Sequence, residues 1–170
     1  MTNNFITPSW LLILVFSPII IMYLIDIYKN PRRIGNEYLT RWFIIPRNRF
    51  FNIYLHKYTG SDDDRALHDH PWHSVSFLIW GSLHEVTPDI LFLDYGRWLN
   101  VTKSKKVKKF LPKYRSAKYA HRLELESKTA WTIFLTGPKV RSWGFHCPKG
   151  WRPWREFTDE SGNGVGQGCD

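Results

Sequence analysis

Beyond residue 36 the chain carries no helical periodicity. Short runs of aromatic and β-branched residues recur instead between turn-forming residues, which is the pattern of a pleated, half-buried surface. Tyr38 to Ile45 and Phe50 to Tyr58 flank Pro46-Arg47-Asn48-Arg49, and Val75 to Trp80 and Leu83 to Val86 flank Gly81 as a hairpin. Further runs cover Ile90 to Tyr95, Val107 to Leu111, Tyr119 to Leu125, Ala130 to Leu135 and Val140 to Phe145, punctuated by Gly96, Pro112, Ser127 and Gly137-Pro138. Many short strands at regular spacing predict an antiparallel sandwich or barrel. A 43% hydrophobic and 16% aromatic composition over 170 residues supports one packed domain with an appendage.

The appendage is the amino-terminal segment. Residues 1–25 contain no charged side chain, and Phe5 to Ile25 meets the roughly 20 apolar residues that a bilayer core requires. Trp10, Tyr23 and Tyr28 sit where interfacial aromatics would lie, and Pro18 would kink such a helix. The basic flank that follows (Lys29, Arg32, Arg33, Arg41, Arg47, Arg49) sets the expectation. It is a single-pass membrane protein with an anchor at residues 1–30, a linker at 31–36, a cytoplasmic β-barrel domain at 37–157 and a flexible tail at 158–170. A hydrophobic helix packed on the domain is the competing reading.

The formal net charge of +9 raises the question of an acidic partner. Its second concentration, Lys103, Lys105, Lys106, Lys108, Lys109, Lys113 and Arg115, reads as one basic hairpin facing solvent near anionic lipid. No groove-reading helix accompanies it, so no nucleic-acid partner is expected. The two cysteines, Cys147 and Cys169, imply no disulfide framework and suit a reducing compartment.

The densest chemistry lies in His68-Asp69-His70-Pro71-Trp72-His73. Side chains two residues apart on an extended strand share a face, so His68 and His70 can reach one metal ion together. Pro71 places the pair at a strand end or edge, where an ion stays reachable. The bland alternative is a His-rich surface turn. In the closing segment Arg141, Trp143, His146 and Trp151 cluster with Gly144 and Gly150 as candidates for the barrel mouth. The planar fork of Arg141 suits a carboxylate or phosphate, whereas a packed aromatic strand is the alternative.

Three stretches, HDHPWHSVSFLIWGSLHE, SAKYAHRLEL and IFLTGPKVRSWGFHCPKGWRPWREF, together resemble a group of small bacterial and phage cupins with HDHPW and GFHxPxGWxPWRE-like segments. The resemblance spans about Tyr38 to Phe157. It implies an all-β, cupin-like double-stranded β-helix (jelly roll), here preceded by one hydrophobic transmembrane helix, with a metal inside the barrel. His68 and His70 match the first cupin motif, Gly81 matches its later glycine, and His121 matches the histidine of the second motif. The Glu of the first motif falls on Ser74 or Val75, so that ligand is missing. Glu85 or His73 stands as its substitute, and Asp69 or Glu85 as the acceptor behind a metal-bound imidazole. Fe or Zn suits such a set first, with Mn or Ni also compatible. The implied activity is that of a metal-dependent oxidoreductase or dioxygenase on a small molecule, with Arg141, Trp143 and His146 binding substrate. The alternative is a non-catalytic cupin binding module or a membrane-associated accessory protein. Homodimers are common in the group.

Overall fold

The computed structural model describes residues 18, 20–27, 29–35, 37–62, 66–93, 97–160 and 166–170. The chain divides into two compact units, Met1–Pro31 and Arg32–Asp170. In the first, residues 20–27 form helix α1, and Asn30 donates from Nδ2 to the Asp26 carbonyl at 3.1 Å. Among the described residues no helix is long and apolar enough to cross a membrane. The expected single-pass membrane location and the anchor over residues 5–25 are corrected accordingly; residues 5–17 and 19 of that stretch lie outside the described residues.

The second unit is almost wholly β. Its strands are β1 (Arg32–Ile34), β2 (Leu39–Phe43), β3 (Asn52–Tyr58), β4 (Leu67–His68), β5 (Ser74–Trp80) and β6 (Leu83–Leu93). They continue with β7 (Arg97–Lys106), β8 (Lys113–Arg115), β9 (Arg122–Leu125), β10 (Ala130–Thr136), β11 (Gly144–Cys147) and β12 (Gly150–Pro153), before the short helix α2 (Trp154–Phe157). A six-stranded sheet runs in the order β1-β2-β3-β10-β5-β8, and two three-stranded sheets run β12-β11-β4 and β7-β6-β9. All ladders within them are antiparallel.

Period-two alternation sets the inner face of the large sheet. Asn52, Tyr54, His56 and Tyr58 are buried in β3, and Ala130, Thr132, Phe134 and Thr136 are buried in β10. Register then aligns Arg41 with His56 and His56 with Thr132, one polar row across three strands. A neighbouring row is apolar, Leu39 beside Tyr58 beside Ala130. Leu39, Tyr58, Leu78, Leu83 and Ala130 form the main core, with Val107 and Leu123 packed against them, so the large sheet and the β6–β9 sheet share one interior.

Sequence and structure part at several strands. The run read as Leu83 to Val86 and the one read as Ile90 to Tyr95, as far as Leu93, form one strand, β6, despite Pro88; residues 94 and 95 lie outside the described residues. Proline is tolerated because β9 pairs only with Leu83–Val86, leaving one side of β6 an edge at Pro88. Val107 to Leu111 is no regular strand: Phe110 takes φ 60° while its N–H bonds the Leu78 carbonyl at 2.9 Å. The basic residues do not make one hairpin, since Lys103, Lys105 and Lys106 lie on β7 and Lys113 and Arg115 lie on β8 in a different sheet. Arg32–Ile34, read as linker, pairs with Leu39–Arg41.

The carboxyl-terminal end carries a further correction. Cys147 and Cys169 form a disulfide, contrary to the expectation that the two cysteines imply no disulfide framework. Arg152 donates to the carbonyls of Gly168 and Asp170, each at 2.6 Å, and Cys169 packs near Phe145 and Phe157. Residues 166–170 of the expected flexible tail are therefore tied to β11, β12 and α2.

Candidate metal centre and its cavity

His68 and His121 are brought together by the backbone. Each donates its N–H to the other's carbonyl at 2.9 Å, an antiparallel bridge outside the longer ladders. Residues directly opposite in such a pair project their side chains to the same face. His70, two residues beyond His68, shares that face. Ligand nitrogens of His68, His70 and His121 all lie within 4.8 Å of one another, and Nε2 of His70 is 3.0 Å from Nε2 of His121.

Behind the three rings lies Glu85, only 4% exposed. Its Oε1 accepts from His121 Nδ1 at 2.9 Å and from Arg115 Nε at 2.6 Å. Its Oε2 meets Lys113 Nζ at 2.8 Å and the Tyr119 hydroxyl at 3.3 Å. Burial would raise the Glu85 carboxyl, but the His121 hydrogen bond and the Arg115 charge, with Lys113, outweigh it and hold it well below the usual carboxylate range. Burial likewise pulls His121 down to about 3 against the opposing pull of Glu85. His70 is held well below 6.5 by burial first and by the neighbouring imidazoles second. His121 is thus a neutral ring whose Nδ1 hydrogen is given to Glu85, leaving its Nε2 lone pair facing His70.

Glu85 was expected as a fourth ligand or as the acceptor behind an imidazole, and it occupies the second position. His73 lies on the opposite side, exposed, with its Nδ1 2.6 Å from the Tyr114 hydroxyl, because an odd offset from His70 reverses the side-chain direction. Three imidazoles converging on a common point, one oriented by a buried carboxylate, are a donor set that fits a divalent transition metal.

Asp69 explains why the HDHPW segment and the closing segment occur together. It is 1% exposed and faces away from the three rings. Its carboxylate accepts from the Gly144 N–H at 2.9 Å, Trp151 Nε1 at 3.0 Å and Arg141 Nη1 at 2.8 Å, and it lies 3.2 Å from His146 Nε2. Gly144 is required at this junction, since a Cβ there would lie 2.1 Å from the Arg152 carbonyl oxygen. Arg141 and His146, expected at the substrate, are instead engaged with Asp69. Trp143 does line the cavity beside the three histidines, stacked on Trp154 with 5.8 Å between ring centroids.

That cavity has a volume of about 400 Å³. The large sheet contributes Arg41, His56, Leu78 and Phe134, the opposite wall contributes Leu83, Leu123 and Phe145, and His68, His70 and His121 also line it. Phe134 spans the space between two imidazoles, its ring centroid 5.1 Å from that of His56 and 6.3 Å from that of His70. His56 accepts at Nε2 from Arg41 Nε at 2.9 Å, and burial first, then the Arg41 charge, keeps it neutral well below 6.5. Arg41 and His56 were not singled out from the sequence as site residues. The signal was the alternation Asn52-Tyr54-His56-Tyr58, which puts an imidazole on an otherwise inward face.

No protein-family model and no curated protein matches the chain. Solved structures do. Hydroxypropylphosphonic acid epoxidase from S. wedmorenis aligns at a TM-score of 0.47 and 12% identity over 64% of this chain and 56% of that one. A singly substituted oxalate decarboxylase of Bacillus subtilis aligns at 0.44 and 17% identity over 66% of this chain and 28% of that one. An HTH_3 family transcriptional regulator from Vibrio cholerae aligns at 0.40 and 9% identity over 61% and 53%. The chain spans about half the length of the regulator and of the epoxidase.

Proposed function

We propose that residues 32–170 are a cupin-like jelly roll that holds one divalent transition metal through His68, His70 and His121 and acts on a small molecule as a metal-dependent oxidoreductase. The observation that carries this reading is the convergence of three ring nitrogens within 4.8 Å in a cavity large enough for a small substrate, with the outer nitrogen of His121 given to Glu85. Fe or Zn suits three imidazoles best, and Mn or Ni also fits. When bound, such an ion supplies Lewis acidity, or redox chemistry in the case of iron, at open coordination positions.

The chain's own residues supply the rest. Glu85 fixes the His121 tautomer, and Arg115 and Lys113 keep Glu85 ionised. Trp72 and Trp143 line the cavity as bulky apolar walls that exclude water. The indole Nε1 of Trp72 is buried with no hydrogen-bond partner among the described residues, which leaves one donor available near the three rings. Arg141 and His146 support the barrel through Asp69 in this reading rather than touching substrate.

Oxygen consumption by Fe(II)-loaded protein across a panel of small organic substrates, compared with His121→Ala treated alike, tests the enzymatic part. Substrate-stimulated uptake that the variant lacks is expected. A protein that loads metal yet turns over nothing would make this barrel a binding module.

A further inference from the structure

We propose that the cavity selects a small organic acid, with the Arg41 guanidinium as the carboxylate-binding group and the apolar wall holding the rest of the molecule. This deepens the metalloenzyme reading and rests on it for the statement that the bound acid is a substrate.

Among the described residues the cavity is lined by four arginines, Arg32, Arg41, Arg47 and Arg115, and by one carboxylate, Asp62. Arg115 is already neutralised, since its Nε meets Glu85 at 2.6 Å and its Nη1 meets Ser76 Oγ at 2.6 Å. Arg32, at the strand edge, and Arg47 are exposed. Asp62 accepts the Leu123 N–H at 2.6 Å. Arg41 is different from the others. Its Nε is given to a neutral acceptor, His56, and its guanidinium carbon lies 4.8 Å from the centroid of the Tyr54 ring. Among the described residues no carboxylate stands within ion-pair distance of it.

Burial lowers the Arg41 guanidinium from its ordinary value, with the nearby tyrosines only partly offsetting that effect. A guanidinium with no carboxylate partner among the described residues gains most from an anion that arrives with a ligand, and a planar carboxylate matches its two-pronged edge. His56 holds the group in position at Nε, so little side-chain freedom remains to be lost on binding.

Position points to the same class. Arg41, His56, Phe134 and His70 follow one another across the inner wall, so a carboxylate on Arg41 directs its body along Phe134 towards the three histidines. The space beside this line is walled by Leu39, Leu78, Leu83, Val107 and Leu123. An apolar body therefore suits it better than a second charge, which separates an organic acid from inorganic phosphate.

The test is calorimetric binding of octanoate, octan-1-ol and inorganic phosphate to the full chain, first metal-free and then loaded with Zn²⁺. Octanoate is expected to bind metal-free protein about tenfold or more tighter than octan-1-ol or phosphate. Arg41→Met is expected to erase that preference while leaving octan-1-ol affinity unchanged, and Arg41→Lys to retain part of it. Equal affinity for octanoate and octan-1-ol in the wild type would overturn the proposal, and this arm needs no variant to fold. So would phosphate binding as tightly as octanoate, or a preference that appears only with Zn²⁺ and survives in Arg41→Met, because the metal would then be the carboxylate's partner. Zinc content of the same samples separates the two claims: an octanoate preference without zinc uptake supports Arg41 recognition and contradicts the metal centre.

Discussion

At the scale of single residues, Glu85 has the largest leverage. One buried carboxylate serves His121, Arg115, Lys113 and Tyr119 together, so its removal strands a guanidinium that is 3% exposed. Glu85→Ala is expected to cost about 3–5 kcal/mol in denaturant unfolding, as breaking one side of a buried ion pair does. It is also expected to weaken metal binding about 10–100-fold through loss of the ring's orienting acceptor. The buried imidazoles set the acid limb of stability. His56, His70 and His121 stay neutral in the fold below 6.5, whereas the unfolded chain takes up protons there. Protons then favour the unfolded state, so thermal stability of metal-free protein should be flat above 6.5 and fall as pH drops below it. His56→Gln should flatten that decline, and an unchanged slope would remove His56 from the account. The sequence made His68, His70 and His121 visible through i, i+2 spacing and motif resemblance. It left Arg41 hidden, because a lone arginine after a hydrophobic segment reads as flanking charge until register sets it beside His56.

At the scale of elements, the site depends on how strands are joined. Gly81 turns β5 into β6 at φ 80°, and a Cβ there would sit 2.1 Å from the Thr129 carbonyl oxygen. Gly81→Ala should therefore lower the melting temperature by more than a surface substitution does, and a neutral effect would show that the hairpin can shift. Strands β3, β5 and β10 were legible because their alternation is regular and their ends are marked by Gly or Pro. Strands β6 and β7 were not, because Pro88 reads as a break when it lies on an edge side of the pair. The short β4, β8 and β12 carry too few residues for any period to register. Long-range partners place two of them, His121 for β4 and Val75 for β8, while β12 is placed by its hairpin with β11, where Phe145 faces Arg152.

At the scale of the whole molecule, the second unit is fastened at both faces of the HDHPW segment. Histidines on one face meet in the cavity, and Asp69 on the other gathers Arg141, Gly144, His146 and Trp151. The Cys147–Cys169 bridge closes a separation of 22 residues and holds the chain end against Phe145 and Phe157, whose rings stack at 3.6 Å. Its loss in Cys169→Ser is expected to cost about 3 kcal/mol by chain entropy, measured by unfolding with and without reductant. Equal stability in both conditions would contradict that role. This pairing was illegible in the sequence, where Cys169 follows a glycine-rich run that offers no packing signal of its own. The single-pass reading rested on apolar length alone, and among the described residues no helix is long and apolar enough to cross a membrane. The central claim is a metal centre built from three imidazoles, and elemental analysis of purified full-length protein beside His121→Ala tests it most directly. One transition metal per chain in the wild type, lost in the variant, is the predicted result; no metal in the wild type under any loading condition, or full occupancy in the variant, would contradict it.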